Sequence, residues 1–355
     1  MGKRAKIAHI PIAPGQVAKF TTVELSQRVE IGFQRGLRKK VAETNVFKVR
    51  AEIEDAERLL EGEVRRAFLN VLHLGKEAAL ADTAVAINDK LLEIAQSRFQ
   101  AGETSELEVK LARMEAMRAR NRRTEVMNRL VLAKVELNRL LGRSLTEPLT
   151  AVEEPAPRPG PLDLSHLIER ALEHRKDLKS LALDAEKAGE ELTLARRERL
   201  PDLHLSFVYE KLAGTEVFGG AVTLPIPIFD RNQGQVAAST ARGRQARTQL
   251  IYRRELIQKE VTAAFERLKA TKHRLRMFEE GILNLAEDNL KMMRTAYQLG
   301  ESDIFGIIRA QERFLETRAR HLNAMHDFND AVVELETAVG ARLKDISPSI
   351  VRGAW

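Results

Sequence analysis

Apolar side chains recur at alternating steps of three and four residues along much of this chain, which places them on one face of a helix. The stripes comprise Val46, Val49, Ile53, Ala56, Leu60, Ala67, Val71, Leu74, Ala78, Ala81 and Val85, then Val126, Leu130, Ala133, Leu137 and Leu140, and finally Met325, Phe328, Val332, Leu335 and Val339. This heptad-like pattern predicts knobs-into-holes packing between helices. Because no proline occurs from Val41 to Gln96, the first helix is predicted to extend about 80 Å.

One glycine-centred segment occurs twice. RFQAGETSELEVKLAR at residues 98–113 resembles AYQLGESDIFGIIRAQ at residues 296–311, at an offset of 198 residues. Aligned without a gap, residues 98–142 and 296–340 are identical at Gln100, Gly102, Glu103, Ala112, Arg120, Arg122, Met127, Ala133, Val135, Glu136, Leu137 and Gly142. A repeat at a fixed offset indicates a duplicated structural unit, so the chain is predicted to contain two related helical halves.

The glycine of each copy lies where one long helix must end and the next begin. Gly102 can adopt the left-handed conformation that ends many helices. Ser105 with Glu108 is predicted to form a capping box at the start of the next helix. In the second copy, Gly300 is followed by a serine and an aspartate, either of which can act as a simpler N-cap. GETSE and GESDI are therefore the predicted tips of two helical hairpins.

Four short segments have a different pattern, rich in β-branched and aromatic residues and bounded by glycine or proline. They are residues 20–29, 202–210, 216–229 and, more weakly, 5–12. Leu203, Leu205 and Phe207 would share one strand face, with His204 and Ser206 on the other. A sheet that is apolar on one face suits either a protein core or lipid. Its unpaired edges would be covered in a ring of identical subunits.

Composition narrows the function classes. Hydrophobic residues make up 44% of the 355 residues and aromatic residues only 5%, which favours long packed helices over an ordinary globular core. The absence of cysteine excludes disulfides, thiolate metal sites and cysteine catalysis. The formal charge is +7, but lysine and arginine are interspersed with acids at helical spacing, which indicates a solvated helix surface rather than a nucleic-acid site.

Neither a membrane-spanning helix nor an enzyme motif is evident. No window approaches the roughly 18 apolar residues that a spanning helix needs, and MGKRAKIAHIPIAPG does not read as a secretory signal. No phosphate-binding loop, HExxH motif or catalytic triad is found, so no enzyme activity and no cofactor are expected. The best metal candidate is HLNAMH, with His321, Met325 and His326, but ordinary surface histidines and a packing methionine are favoured there.

Several segments, in this order, resemble the TolC-like outer-membrane factors, the trimeric exit ducts of tripartite efflux pumps and type I secretion systems. They are LPDLHLSF, AVTLPIPIFDRNQGQVAASTAR, the two glycine-centred segments, LNRLLG and LETAVG, and the resemblance extends from about Phe20 to Gly340. TTVELSQRVEIGFQRGLRK and PIPIFDRNQGQ are more similar to the heavy-metal branch of that family, the outer-membrane components of cobalt–zinc–cadmium and copper–silver exporters.

The resemblance implies a mainly α fold with a small β part. Long antiparallel helical hairpins would form a periplasmic tunnel, and four strands per subunit would contribute to a trimeric twelve-stranded outer-membrane barrel. The implied segments are a strand pair at 1–34, a helical hairpin at 35–142, an equatorial connector at 143–173 that includes the Pro-rich 153–161, a helix at 174–201, a strand pair at 202–230, a second hairpin at 231–340 and an equatorial tail at 341–355.

The implied function is passive conduction from the periplasm to the outside, with heavy-metal cations as the suggested cargo. The hairpin tips, at Gly102, Glu103, Thr104, Gly300, Glu301 and Ser302, would dock a periplasmic adaptor protein. Asp303, Gly306 and Arg309 would form a pore constriction. The other implied partners are two further copies of the chain, an inner-membrane pump such as an RND transporter, and outer-membrane lipid. No nucleic-acid partner is implied.

The sequence departs from the family pattern at two places. A signal peptide and a helix before the first strand are missing, because the first half has no counterpart to the helix at 174–201; we therefore expect a fragment or a start codon assigned too late. Gly306 and Arg309 stand where many members carry an acidic constriction. A soluble basic coiled-coil scaffold stays open as the alternative function, and a periplasmic adaptor as a third, although the duplicated hairpin argues against the adaptor.

Overall fold

The computed structural model describes residues 2–13, 16–152, 162–212 and 215–343. Seven α-helices lie in these residues: α1 Gln34–Gln100, α2 Glu106–Leu140, α3 Leu164–His174, α4 Lys176–Arg197, α5 Gln233–Met277, α6 Leu283–Gln298 and α7 Ile304–Val339. The strands are β1 Gly2–Ala13, β2 Gln16–Val29, β3 Leu203–Leu212 and β4 Thr215–Thr223. The predicted mainly α fold with a small β part is confirmed. The predicted connector at 153–161 and the tail from residue 344 onward lie outside the described residues.

The four strands form one antiparallel sheet in the order β1-β2-β3-β4. In the central pair, Val29 lies opposite Leu203, and the register continues without a shift to Phe20 opposite Leu212. The fourth strand is shorter than expected from residues 216–229, since it ends at Thr223. Two prolines within the following LPIPIF lack the backbone N–H that a ladder requires, which explains why the strand stops.

The chain divides into two compact units, Met1–Ile53 with Lys176–Arg254 and Glu54–Arg175 with Glu255–Trp355. Helices α1 and α5 contribute residues to both units. Within the first unit, the Asn232 side chain donates a 2.9 Å hydrogen bond to the carbonyl oxygen of Ala195, which ties the start of α5 to the end of α4. Lys48 on α1 lies 2.7 Å from the Asp184 carboxylate on α4.

The predicted apolar stripe of α1 has two different environments. Its earlier positions, among them Val46, Val49 and Ile53, are exposed in the chain. The heptad pattern correctly predicted a helix there, but it did not predict burial within the chain, because periodicity shows that a face is apolar and not which chain covers it. Among the described residues, no helix covers these side chains, which matters for the assembly state.

In the second unit most stripe positions are buried or half-buried, as predicted for packed helices, whereas Ala56 and Leu60 are exposed. Helices α1 and α2 pack antiparallel through a cluster of Val71, Leu74, Ala133 and Leu137 and another of Ala78, Ala81 and Val126. The last four turns of α7 bury Phe328, Val332, Leu335 and Val339. Among the described helices, none is both long and apolar enough to cross a membrane.

Two elements of the structure were not predicted from the sequence. Helix α3 lies within the segment that was assigned to the connector, and its Asp163 N-cap accepts a hydrogen bond from the backbone N–H of His166. The second hairpin is not one continuous helix before its tip, because a π-helical segment, Phe278–Ile282, separates α5 from α6. Gly281 within it has φ +124° and ψ −7°, outside the helical region. The corresponding residue of the first repeat, Thr83, lies in unbroken α-helix.

Candidate functional site

The first hairpin tip turns at Gly102, which has φ +78° as predicted. Its N–H donates to the carbonyl oxygen of Phe99 at 3.0 Å, and the N–H of Glu103 donates to that of Arg98 at 2.9 Å. This pair of bonds is the Schellman motif that closes a helix C-terminus on a left-handed residue. A side chain with a β-carbon would have room there but would resist the positive φ.

The predicted capping box at the start of α2 is wrong. Ser105 is the N-cap residue, but its side chain makes no capping hydrogen bond. The Glu108 carboxylate does not reach back to the Ser105 N–H, because it accepts a hydrogen bond from the hydroxyl of Tyr297 on α6. Glu108 therefore takes part in a contact between the hairpins and not in a local cap. A local sequence motif cannot reveal such a contact.

The second tip repeats the geometry of the first. Gly300 has φ +76°, and the N–H of Glu301 donates to the carbonyl oxygen of Ala296 at 2.8 Å. Asp303 is the N-cap of α7, and its Oδ1 accepts from the N–H of Gly306 at 2.8 Å. The prediction of two matched hairpin tips is confirmed, with aspartate and not serine as the second cap.

The two hairpins pack against each other directly behind their tips. A tip cluster of buried residues from α1, α2, α6 and α7 comprises Leu91, Ala95, Val109, Ala112, Tyr297, Ile304 and Ile307. Tyr297 is 0% exposed, although it precedes the tip glycine by only one turn. Burial of its large ring supplies much of the apolar area that holds α6 against the first hairpin.

Polar contacts around Tyr297 reinforce the tip cluster. Its hydroxyl donates a 3.0 Å hydrogen bond to Glu108 Oε2. Arg98 Nη1 donates to the Tyr297 carbonyl oxygen at 3.2 Å, and the Arg98 guanidinium lies 4.9 Å from the ring centroid. Burial raises the pKa of Tyr297 to about 12, and the bond to the Glu108 carboxylate adds to the rise. The phenol therefore stays protonated, and stays a donor, at physiological pH.

The predicted docking residues lie at the surface of the tips. Gly102, Glu103, Gly300 and Glu301 are exposed, whereas Thr104 and Ser302 are half-buried. Sequence reasoning missed the apolar side chains that surround them, namely the exposed Phe99, Leu107, Leu299 and Phe305. Exposed large apolar side chains grouped at one end of a structure mark an interaction surface. Their positions on either side of each tip glycine were the available signal.

The three predicted constriction residues have different surroundings. Asp303 caps α7 and is exposed, and Arg309 is exposed two turns further along the helix. Gly306 is half-buried; a β-carbon there would lie 2.7 Å from Cε of Met293 and 2.8 Å from Oγ of Ser302. The glycine thus allows close approach of α6 to α7.

The sheet presents one apolar and one largely polar face, as the alternation of β3 predicted. The apolar face carries Val23, Leu25, Gln27, Val29, Leu203, Leu205, Phe207, Tyr209, Phe218 and Val222, and at one end Thr21 and the ion pair of Lys211 with Glu216. The opposite face carries Thr22, Glu24, Ser26, Arg28, His204, Ser206, Val208, Glu210, Val217, Ala221 and Thr223. The Phe218 ring lies 5.1 Å from Tyr209 and 6.3 Å from Phe207, yet Phe218 is 65% exposed. The apolar face is thus uncovered in the described chain.

The histidines of HLNAMH do not converge. The His321 ring lies 6.0 Å from the Phe278 ring, whereas the His326 ring stacks on His73 of α1, with centroids 4.6 Å apart and planes at 21°. Imidazole binds a metal in the plane of its ring, so two nearly parallel stacked rings do not aim at one ion. Among the described residues, no group of three His, Cys, Asp or Glu side chains could hold a metal.

Comparison with known proteins identifies the family. The outer membrane efflux protein family model matches residues 18–143 and 167–341. Cobalt-zinc-cadmium resistance protein CzcC of Cupriavidus metallidurans is 21% identical over 327 residues, which cover 91% of this chain and 77% of the relative. Outer membrane efflux protein BepC of Brucella suis is 24% identical over 339 residues, which cover 91% and 72% of the two chains.

The fold is also shared with a solved outer-membrane protein. The crystal structure of VceC from Vibrio cholerae superposes with a TM-score of 0.77 at 18% identity and covers 96% of this chain and 87% of VceC. The resemblance to the TolC-like outer-membrane factors is therefore confirmed, and an efflux channel is favoured over the soluble coiled-coil scaffold. With a family model that matches most of its length, and the duplicated hairpins and sheet described above, the chain belongs to the outer membrane efflux protein family.

Proposed function

We propose that three copies of this chain form the passive exit duct of a tripartite efflux system, with four strands from each copy in a twelve-stranded outer-membrane barrel. The sheet carries this proposal. Its alternating apolar and polar faces are the pattern of strands between lipid and a water-filled lumen. Strands β1 and β4 each pair on one side only within the described chain, and neighbouring copies would complete the ladder at both edges.

The helices support the same assembly. Val46, Val49 and Ile53 form the exposed part of a heptad-like stripe on α1, and such a stripe is stable when a neighbouring helix covers it. A closed ring of identical subunits covers every copy of the stripe at once. The helices would then enclose a water-filled passage that extends into the periplasm.

The hairpin tips are the proposed docking site for a periplasmic adaptor protein. Gly102, Glu103 and Thr104 of one tip, and Gly300, Glu301 and Ser302 of the other, offer backbone and carboxylate groups to solvent. The exposed apolar side chains beside them suit a partner with amphipathic helices, which bind by laying an apolar face on such a surface. Docking would separate the two hairpins behind the tips.

Asp303, Gly306 and Arg309 are the proposed constriction residues, since they follow the second tip on α7. A ring of three Arg309 side chains would oppose cations and attract anions, whereas rings of Asp303 would do the reverse. Conduction itself needs no catalytic step, and the energy would come from an inner-membrane pump such as an RND transporter.

Heavy-metal cations are the proposed cargo. The support is the relative whose name refers to cobalt, zinc and cadmium resistance; the name of BepC specifies no metal. A duct passes cargo without holding it tightly, because tight binding slows release. Cells that carry the pump and adaptor, with and without this chain, should differ in their tolerance of Co²⁺, Zn²⁺ and Cd²⁺. Equal tolerance would assign the duct another cargo.

Membrane fractionation tests the duct itself. The chain is expressed with a secretory signal peptide ahead of Met1, and detergent extracts of outer membranes are examined before and after heating. We expect a heat-modifiable trimer in the outer-membrane fraction. A soluble monomer or dimer would overturn the proposal and restore the coiled-coil scaffold.

A further inference from the structure

A groove of about 390 Å³ opens between α1, α2 and α7, within the second compact unit. Its floor is apolar and includes the buried Ala81 and Val126. Further alanines on all three helices, Ala84, Ala119 and Ala319, leave the space that larger side chains would fill. The volume lies in the range of sites that bind small organic molecules.

One buried polar atom in the lining has no partner. Gln311 is only 5% exposed, and its Oε1 is buried with no hydrogen-bond partner among the described residues. An unpaired amide oxygen in an apolar lining favours any occupant that brings a donor. Asn88, another amide side chain of the lining, does have a partner, because its Nδ2 group donates to the Ala84 carbonyl oxygen at 2.8 Å. Because Gln311 belongs to the lining, a rotation of its amide would bring this unused acceptor to an occupant of the groove.

The rim of the groove is acidic in a chain of net charge +7. The lining contains four carboxylates and two arginines, which are Glu77, Glu115, Glu312, Glu316, Arg118 and Arg122. Both arginines are already engaged, Arg118 with Glu115 at 2.5 Å and Arg122 with Glu77 at 3.3 Å.

Of the remaining two carboxylates, Glu316 pairs with Arg320 outside the groove, at 2.6 Å. Glu312 is exposed and makes no ion pair with the described residues. The rim thus provides an uncompensated negative charge one residue away from the unpaired acceptor of Gln311. An anionic ligand would be repelled, and a bare metal ion would lack a sufficient set of ligands.

We propose that this groove binds a small organic amine. The apolar body lies on the alanine-rich floor, the ammonium donates a hydrogen bond to Gln311 Oε1, and its charge lies beside Glu312. Such a ligand would contact α2 of the first hairpin and α7 of the second, so its binding would brace one hairpin against the other. The groove shares no residue with the proposed adaptor surface or with the proposed constriction residues.

Isothermal titration calorimetry on the full detergent-solubilised assembly tests the proposal. The probe is tryptamine, and tryptophol, which replaces the ammonium by a hydroxyl on the same indole body, is its neutral counterpart. We expect saturable binding of tryptamine at one site per chain and about tenfold weaker binding of tryptophol, the usual effect of losing one charge-assisted hydrogen bond.

Four variants define the site. Glu312→Gln and Gln311→Met should each weaken tryptamine about tenfold, and Ala84→Phe should abolish binding by filling the groove. Glu266→Gln, an exposed carboxylate on α5, is the matched control and should bind as the unaltered chain does. Equal elution volume and helical circular dichroism establish that each variant is folded.

Three results would contradict an amine site in this groove. Absence of saturable tryptamine binding, or unchanged binding by Ala84→Phe, would remove the site from this groove. A high-resolution map of the assembly with tryptamine that shows only water at Gln311, or a neighbouring subunit's helix filling the groove, would also overturn it.

Discussion

The hydroxyl of Tyr297 on α6 donates a 3.0 Å hydrogen bond to Oε2 of Glu108 on α2 and joins the two helical hairpins behind their tips. The equivalent position of the first repeat is Phe99, which is 45% exposed. Duplicated positions have therefore taken opposite roles. One aromatic ring is buried between the hairpins and carries a hydroxyl, while the other lies at the surface and has none.

Replacing Tyr297 by phenylalanine tests this contact. The ring and its burial are kept, but the Glu108 carboxylate loses a donor in a partly buried position. We expect a loss of about 1.5–3 kcal/mol in the free energy of unfolding, the range for a hydrogen bond to a charged group. Guanidinium unfolding in detergent measures it. Tyr252→Phe is the control, because Tyr252 is exposed and should lose almost nothing; equal losses in the two variants would contradict a specific link.

Gly102 and Gly75 make a second matched pair. Neither has an atom within 4 Å of where a β-carbon would lie, so substitution by alanine creates no clash at either. Gly102 has φ +78°, where alanine costs about 1–2 kcal/mol, whereas Gly75 lies inside α1, where alanine gains about 1 kcal/mol. Unfolding curves should therefore move in opposite directions. A stabilised Gly102→Ala variant would show that the tip does not need the left-handed conformation.

Features that depend on neighbouring residues were predicted from the sequence, and contacts between distant residues were not. The two tip glycines and the alternation of Leu205 and Ser206 are local, so a short window predicted them correctly. The partners Tyr297 and Glu108 are 189 residues apart, and only the packing of one hairpin on the other brings them together. The same contact explains why the capping box at Ser105 failed.

The periodicity of apolar residues also left two features of the structure unpredicted. An apolar stripe at Val46, Val49 and Ile53 predicts a helix that needs a partner, but it does not say whether the partner is the same chain. Many helices tolerate a single glycine, such as Gly281, at a modest cost in stability. The presence of one glycine therefore does not predict a break in the helix. The spacing of the surrounding apolar residues gave no further warning.

The break at Gly281 gives a prediction of its own. Its φ of +124° is a conformation that side chains with a β-carbon avoid, so Gly281→Ala should lose about 1–3 kcal/mol or straighten the segment into continuous helix. Thr83→Ala, at the equivalent position of α1, should instead gain a few tenths of a kcal/mol from helix propensity. Because the chain contains no cysteine, spin labels at two introduced cysteines on α5 and α6 can follow the angle between them. An unchanged label distance and unchanged stability would show that the glycine is dispensable.

His73 links stability to pH. Burial lowers its pKa from the ordinary value of 6.5, and the stacked His326 and Arg129 lower it further, while Glu77 and Asp327 act in the opposite direction. In the unfolded chain the imidazole titrates near its ordinary value, so below about pH 6.5 the unfolded state binds more protons. Stability should therefore fall as the pH drops from about 6.5 through the folded pKa.

The measurement for His73 is the unfolding midpoint at pH 7.5 and at pH 5.5. His73→Gln removes the titrating group and should reduce the difference between the two midpoints. His166→Gln, on the exposed surface of α3, is the control and should leave the difference as it is. If His73→Gln keeps the full pH dependence, the acid sensitivity belongs to other groups.

Leu205 and Ser206 are adjacent in β3 but lie on opposite faces of the sheet, which makes them a direct test of which face meets lipid. An arginine on the lipid side of a barrel strand costs about 2–4 kcal/mol near the bilayer midplane, whereas the lumen side tolerates polar groups. Leu205→Arg should therefore reduce the amount of trimer in outer-membrane fractions, and Ser206→Arg should assemble normally. Both variants add the same charge at nearly the same depth, so the change in net charge cancels in the comparison. Equal loss in the two variants would mean that the sheet does not separate lipid from water, and the reverse order would place the aromatic face of Phe207 and Phe218 in the lumen.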